Sequence, residues 1–486
     1  MPGFLHASSY WIARLILQRG LGCVYLFAFL VALEQFRPLL GEHGLLPAPR
    51  YLARVRFRDA PSLFHFRYSD RLLATVSVAG IVLSLVIILG LPDRWPAPLT
   101  IAVWLIVWAL YLSIVNVGQT FYAFGWESLL LEAGFLAAFL GPASSAVPAP
   151  VVFLFRWLLF RLEFGAGMIK LRGDPCWRDL TCLYYHHETQ PMPNPLSWYF
   201  HALPKPLHRI EVLGSHFAQL VAPVLLFFPQ PIAAFAGAVM AMTQLWLVLS
   251  GNFAWLNWTT IVLTAAAFDD AQLAHLLPLH VPALASLEWH DGLVVAITVL
   301  IVALSWRPAR NLFSRNQMMN ASFDPLRLVN TYGAFGSVGR ERYEVVIEGT
   351  RDERLTPGTV WSEYEFRGKP TDPNRRPPQW APYHLRLDWL MWFAGISPYY
   401  AASWFLPFVK KLLQNDRAIL RLVRRNPFPD EAPRTIRAII YRYKFTTWGE
   451  RRRTGAFWIR TRIGEYLQPI TGDRSRTLWP QQPALA

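Results

Sequence analysis

Two long uncharged apolar runs constrain this chain most. Leu72 to Leu91 reads LLATVSVAGIVLSLVIILGL and Pro98 to Val117 reads PLTIAVWLIVWALYLSIVNV, neither with a charged residue. At about 1.5 Å per helical residue, each run is long enough to cross about 30 Å of hydrocarbon. Further apolar stretches join them: Trp11 to Leu33, with Arg14 and Arg19 near its start; Val151 to Gly167, with Arg156, Arg161 and Glu163; Val212 to Phe228 and Pro231 to Ser250, either side of a Pro-Gln-Pro turn; and Gly292 to Trp306. So many runs cannot share one soluble core. Composition agrees, because 53% of the residues are hydrophobic and only 16% charged, against about a quarter charged in soluble domains. The same apolar content excludes a disordered chain.

Ser128 to Gly141 and Trp255 to Phe268 are shorter, the length of buried or re-entrant pieces rather than full crossings, so the sequence predicts about six to nine spans. The first residues lack a compact apolar region followed by a small-residue cleavage site, so the first span is expected to be retained. The chain ends Pro-Ala-Leu-Ala, which is not a Lys-Asp-Glu-Leu retention signal.

Beyond Trp306 the character changes. Most of the net charge of +15 lies there, with blocks at Arg424-Arg425 and Arg451-Arg452-Arg453. Tyr343 to Gly349, Val360 to Arg367 and His384 to Phe393 alternate like strands and predict a small antiparallel sheet. Trp404 to Val423 reads as an amphipathic helix and Thr435 to Thr447 as a final strand. The fold class expected is a polytopic α-helical membrane bundle followed by a small β-rich α+β domain outside the membrane. The domains expected are a multi-span region at 1–306, a linker at 307–330 and a basic C-terminal domain at 331–486. The basic face is read as a solvated surface near anionic lipid head groups. No nucleic-acid motif is present, so nucleic acid is not expected as a partner. Arg greatly outnumbers Lys, and Ala and Pro are abundant, a usage typical of GC-rich bacterial genomes.

Polar residues inside apolar segments are costly and tend to be paired or functional. Asn116, Gln119, Glu127 and Glu132 cluster around the third run and the short segment after it, and Arg156 and Arg161 on the next segment are the expected partners of the two Glu residues. Cys176 and Cys182 are six apart in one loop, close enough for a bridge but without the spacing of a zinc or redox motif. His186 and His187 are adjacent, so on a helix they diverge by about 100° and form no chelating pair. No metal site and no cofactor is expected. Phosphate-loop, dinucleotide, nucleophile-elbow and zinc-protease motifs are missing from the sequence.

Several long strings resemble the lipase maturation factor family: Asn116 to Leu140 (NVGQTFYAFGWESLLLEAGFLAAFL), Phe164 to Pro195 (FGAGMIKLRGDPCWRDLTCLYYHHETQPMPNP), NTYGAFG from Asn330, EGT at 348–350, EFRGKP at 365–370 and RLDWLMWFAG at 386–395. The Gly-Glu-His-Gly-Leu-Leu-Pro turn at 41–47 adds to them, and the similarity keeps the family's order along nearly the whole chain. The resemblance implies a multi-span folding or assembly factor for secreted lipases, with no established reaction of its own. It implies the endoplasmic reticulum membrane in a eukaryote, and the cytoplasmic membrane is the equivalent place in a bacterium. It also implies a C-terminal domain that meets a secreted client. A shorter string, Gly167 to Trp177 (GMIKLRGDPCW), is similar to the membrane domain of vitamin K-dependent carboxylase-like proteins, in which a Lys before a Trp serves as base.

Two functions follow. In the first, a maturation factor binds a client through its C-terminal domain, with Arg386, Asp388, Trp389, Trp392 and Phe393 as candidate residues. In the second, a membrane enzyme acts on a lipid-soluble or exported substrate, with Lys170 as base and His186 and His187 nearby. The simpler account of Lys170 is that it reaches the head groups or pairs with Glu163 or Asp174, and the balance favours a non-enzymatic role.

Overall fold

The computed structural model describes residues 5–472. The chain's Pro-Ala-Leu-Ala ending and residues 473–486 of the expected C-terminal domain lie outside the described residues. The described residues form two compact units, one of residues 5–340 with 379–385 and one of residues 341–378 with 386–472. Residues 307–330, read from sequence as a linker, fall within the first unit.

The first unit is helical. Its main helices are α1 (Trp11–Leu40), α2 (Asp70–Ile88), α3 (Ala97–Val117), α4 (Gly125–Ala137), α5 (Ala149–Arg172), α6 (Leu183–Thr189), α7 (Lys205–His216), α8 (Ile232–Ser250), α9 (Leu256–Thr264) and α10 (Glu288–Leu304). Among the described residues, five helices are long and apolar enough to cross a membrane: α1, α2, α3, α8 and the continuous Glu288–Phe313 stretch that contains α10. Two other expected spans differ in kind. The helix α5 is long but carries Arg156, Arg161, Glu163 and Lys170. The Val212–Phe228 run is divided among α7, a π-turn at Phe217–Val221 and a short helix at Ala222–Leu225.

The apolar faces explain the composition. Val78, Val82, Leu85 and Leu89 form one exposed stripe on α2 and the turn after it, and Val295, Val299 and Val302 form another on α10. Only 33% of the apolar window of α2 and 22% of that of Glu288–Phe313 is buried within the protein, which suits a hydrocarbon solvent and no aqueous one. In contrast α4 is buried along its whole length, including Glu127, Ser128 and Glu132. It is the short internal piece the sequence predicts. The first backbone amides of α1 are capped by a remote side chain: Trp11 and Ile12 donate to the two carboxylate oxygens of Asp270 at 3.0 and 2.7 Å. Such a cap satisfies donors that a helix start leaves open.

The segment Gln379–Leu385 belongs to the helical unit although its flanks belong to the other. The backbone amides of Trp380 and Ala381 donate to Asn252 Oδ1 at 2.8 and 2.9 Å. Gln35 on α1 donates to the carbonyl of His384 at 2.7 Å, and Tyr383 donates to Glu34 at 2.5 Å.

The second unit is built on a four-stranded antiparallel sheet. Its strands β1 (Arg342–Thr350), β2 (Ser362–Glu363), β5 (Thr435–Phe445) and β6 (Trp458–Thr471) stand in the order β2-β1-β5-β6. The register of β1 on β5 runs from Arg342 opposite Tyr443 to Thr350 opposite Thr435. Strands β3 (Glu365–Phe366) and β4 (Val423–Arg425) form a small second pair. A helix α11 (Arg386–Ile396) packs on β1.

The strands expected at Tyr343–Gly349 and Thr435–Thr447 are present as β1 and β5. The expected strand at His384–Phe393 is instead the start of α11. Alternation there lasts only from Leu385 to Asp388, and the run Trp389–Phe393 that follows is continuously apolar. Leu387, Leu390, Met391 and Ala394 recur at helical spacing and are buried. The expected helix Trp404–Val423 is shortened to α12 (Phe405–Leu413), which buries Phe405, Phe408, Val409 and Leu412. Asn415 then takes a left-handed conformation (φ 51°), which stops the helix.

Inside the sheet β1 carries two buried acids, each with a basic partner. Glu344 meets Arg342 at 2.5 Å and Lys369 at 2.8 Å, with all three side chains fully buried, and Glu348 meets Arg437 at 2.8 Å. Part of the basic excess is therefore internal.

Candidate functional site

Three groups of polar residues stand out among the described residues of the bundle. The first joins α4, α5 and the segment after α10. Glu132 and Arg161 form a fully buried ion pair. Arg161 also donates to the carbonyl of Asn330 at 2.7 Å. The Asn330 backbone amide and side-chain amide each donate to Glu132 at 3.0 Å, and the Tyr332 hydroxyl donates to it at 2.8 Å. Arg327 extends the group by donating to Asn116 at 2.9 Å and to Ser128 at 3.0 Å. Of the six polar candidates, Asn116, Glu132 and Arg161 therefore share one network.

The other three lie apart. Glu127 accepts a hydrogen bond from the Tyr111 hydroxyl and stands 3.8 Å from His384 Nδ1. Gln119 donates to the Leu46 carbonyl at 2.9 Å. Arg156, expected to pair with a glutamate, donates instead to the carbonyls of Ala266 (2.8 Å) and Leu226 (3.1 Å) and to the Tyr10 hydroxyl (2.7 Å). Carbonyls left open at helix ends satisfy a guanidinium without a carboxylate.

A second group sits on α5, α8, α9 and the π-turn at Phe217–Val221. Gln244 donates to one oxygen of Glu163 at 2.7 Å, Gln219 to the other at 3.2 Å, and Asn257 to Gln244 at 2.6 Å. This arrangement leaves the Asn257 side chain buried within a Gln–Glu cluster.

The third group surrounds the loop after α5. Cys176 and Cys182 are joined by a disulfide. Lys170 is buried, donates to Ser215 Oγ at 3.2 Å, and holds its ammonium 4.5 Å from the centre of the Trp177 ring. This cation–π contact stands beside the charge of Glu163, one of the two carboxylate partners expected from sequence. Asp174, one of those partners, is 2.8 Å from Arg340. Partial burial acts against it, but the Arg340 guanidinium and the Cys176 amide hold the Asp174 carboxyl below the usual range. Trp177 donates to the Phe335 carbonyl at 2.8 Å, and the Phe335 ring lies 4.9 Å from that of His186. Lys170 and His186 thus end one chain of contacts. Burial and the neighbouring charges of His187 and Lys170 push the His186 imidazole down to about 3, so it is neutral at any physiological pH. His187 on α6 approaches Glu211 on α7 at 3.8 Å, and Glu211 meets His208 at 2.6 Å.

Sequence reasoning missed Arg327, Asn330, Tyr332, Gln219, Gln244, His208 and Glu211. Each lies far along the chain from the group it completes, and no local spacing marks it. The client-surface candidates also differ in placement. Arg386, Asp388 and Trp389 are buried, while Trp392 and Phe393 keep partial exposure. Asp388 accepts the backbone amides of Gly368 and Lys369 at 2.6 and 3.1 Å.

A family model described as the lipase maturation factor transmembrane domain matches residues 12–275, and one described as the lipase maturation factor C-terminal domain matches residues 328–468. The chain is 41% identical to lipase maturation factor 1 of Bos taurus, over 97% of this chain and 91% of that protein. It is 42% identical to lipase maturation factor 1 of Mus musculus, over 96% and 89%. It is 30% identical to lipase maturation factor 2 of Homo sapiens, over 95% and 83%. These vertebrate relatives lend no support to the bacterial source expected from composition. No solved structure matches the chain.

Proposed function

The chain belongs to the lipase maturation factor family, and on that premise we propose that it is a membrane-embedded factor assisting the folding, assembly or export of secreted lipases. The observation that carries this reading is similarity running in order through both the helical and the C-terminal domains. The interior polar groups fit it. Within the groups around Glu132 and Glu163 the members are engaged with one another, as expected of residues that hold a bundle in one arrangement. In a eukaryotic cell this reading puts the protein in the endoplasmic reticulum membrane, and in a bacterium in the cytoplasmic membrane. Lipid contacts are assigned to the exposed stripes of α2 and α10. The client is assigned to the C-terminal unit at Trp392 and Phe393, beside exposed Tyr399 and Tyr400, where aromatic side chains supply anchor area. Arg386, Asp388 and Trp389 support that face from within.

The test is the activity of secreted lipases per mass of secreted lipase in the native host, with and without the gene. Deletion is expected to collapse the ratio or the secreted mass, and the restored gene to recover it. If both are unchanged by deletion, the reading is wrong.

A further inference from the structure

A buried trio in the helical unit has no part in that reading. His208 and Glu211 lie three residues apart on α7, which places them on one face. His187 reaches the same point from α6. Glu211 Oε2 stands 2.6 Å from His208 Nδ1 and 3.8 Å from His187 Nε2, and one donor atom from each residue falls within 4.8 Å of the other two. Both histidines are 2% exposed. Among the described residues, neither ring nitrogen of His187 has a hydrogen-bond partner. An imidazole buried in that state loses its water without replacement, which natural structures rarely leave unexplained.

We propose that His187 Nε2, His208 Nδ1 and Glu211 Oε2 bind a zinc ion. Two imidazole nitrogens and a carboxylate oxygen suit zinc. Zinc held tetrahedrally needs neighbouring donors about 3.4 Å apart, so the 2.6 Å pair would open and the 3.8 Å pair would close, each by less than an ångström. The surroundings orient the donors. Trp246 Nε1 donates to the other oxygen of Glu211 at 2.8 Å, and His208 Nε2 faces the carbonyl of His201 at 3.4 Å. Outer partners of this kind fix the ligand rotamer and tautomer. Three protein donors leave one tetrahedral position for water or for an incoming oxygen or sulfur donor. The ion would fasten α6, which follows the disulfide-closed loop, to α7.

The test uses the full-length protein in detergent, stripped with EDTA and dialysed against excess Zn2+, then against metal-free buffer. Zinc by mass spectrometry is expected at about one ion per chain, and at least about tenfold less in His187→Ala and His208→Ala. Co2+ added to the stripped wild type is expected to give the strong visible bands of a tetrahedral site, which Zn2+ then removes. This second measurement needs no variant and stands even if the alanine variants misfold. Trp246→Phe, which keeps all three donors, is expected to retain the ion with weaker affinity. Wild-type protein with no zinc above buffer and no cobalt bands would overturn the proposal, leaving a His208–Glu211 hydrogen bond beside a packed His187. Undiminished zinc in a folded His187→Ala protein would overturn it equally.

Discussion

A Cβ placed on Gly134 would stand 1.9 Å from the hydroxyl oxygen of Tyr25, so the Tyr25 side chain of α1 lies directly on the bare backbone of α4. The Tyr25 hydroxyl uses that space to donate to the Leu130 carbonyl at 3.0 Å. Small residues at such crossings let membrane helices approach closely. Gly134→Ala is therefore expected to destabilise the helical unit by about 1–3 kcal/mol through overpacking. Tyr25→Phe, which loses only the hydrogen bond, is expected to cost about 1 kcal/mol. Thermal unfolding in detergent ranks the two, and a harmless Gly134→Ala would contradict the packing described.

Breaking the Glu132–Arg161 pair from one side leaves a charge in the interior. Arg161→Met is expected to cost about 3–5 kcal/mol, and the Glu132→Leu/Arg161→Met double variant to recover part of that loss. Unfolding of the two singles and the double gives the coupling energy. Simple additivity would mean that the pair contributes nothing as a pair.

Lys170 separates the two functions read from the sequence. Arg keeps a cation over the Trp177 ring but cannot lose its proton to give the neutral form that a base requires. Lys170→Arg is expected to support lipase secretion at close to the wild-type level, and Trp177→Ala to lower it by loosening the loop. A dead Lys170→Arg protein at normal abundance would put the enzyme reading ahead of the maturation-factor reading.

Burial pushes the Asp388 carboxyl above its ordinary range, against the opposing pull of the Gly368 and Lys369 amides and the Lys369 charge. A carboxyl raised in the folded state holds its proton more tightly there than in the unfolded chain. Its contribution to stability is therefore present below the unfolded value of about 4 and is lost as pH rises through the folded value. Both amides reach Oδ1, which asparagine retains. Asp388→Asn is expected to fold normally and to flatten the stability profile above about pH 4, as read by unfolding across pH. A profile parallel to wild type would show that Asp388 does not titrate differently on folding.

Five of the expected six to nine spans, the buried α4 and the strands β1 and β5 were legible because hydrophobic length and period-two alternation are local signals. The His384–Phe393 segment misled because four alternating positions preceded a continuous apolar run, and α11 took the helical period of Leu387, Met391 and Ala394 instead. The polar groups were half legible. Glu132 and Arg161 stand out as charges in apolar segments, whereas Gln244 and Asn330 are ordinary polar residues whose partners only folding brings near. The trio around Glu211 was hidden for a related reason: His187 drew notice beside His186, yet its neighbours in space are on a different helix.

The placement of Gln379–Leu385 sets a timetable for synthesis. The helical unit cannot be finished when Arg340 leaves the ribosome, because its last piece is made only after β1, β2 and β3. The membrane half must therefore wait, incomplete, while the early part of the sheet emerges. A helical half produced alone would have to be given residues 379–385 to reach its native interior.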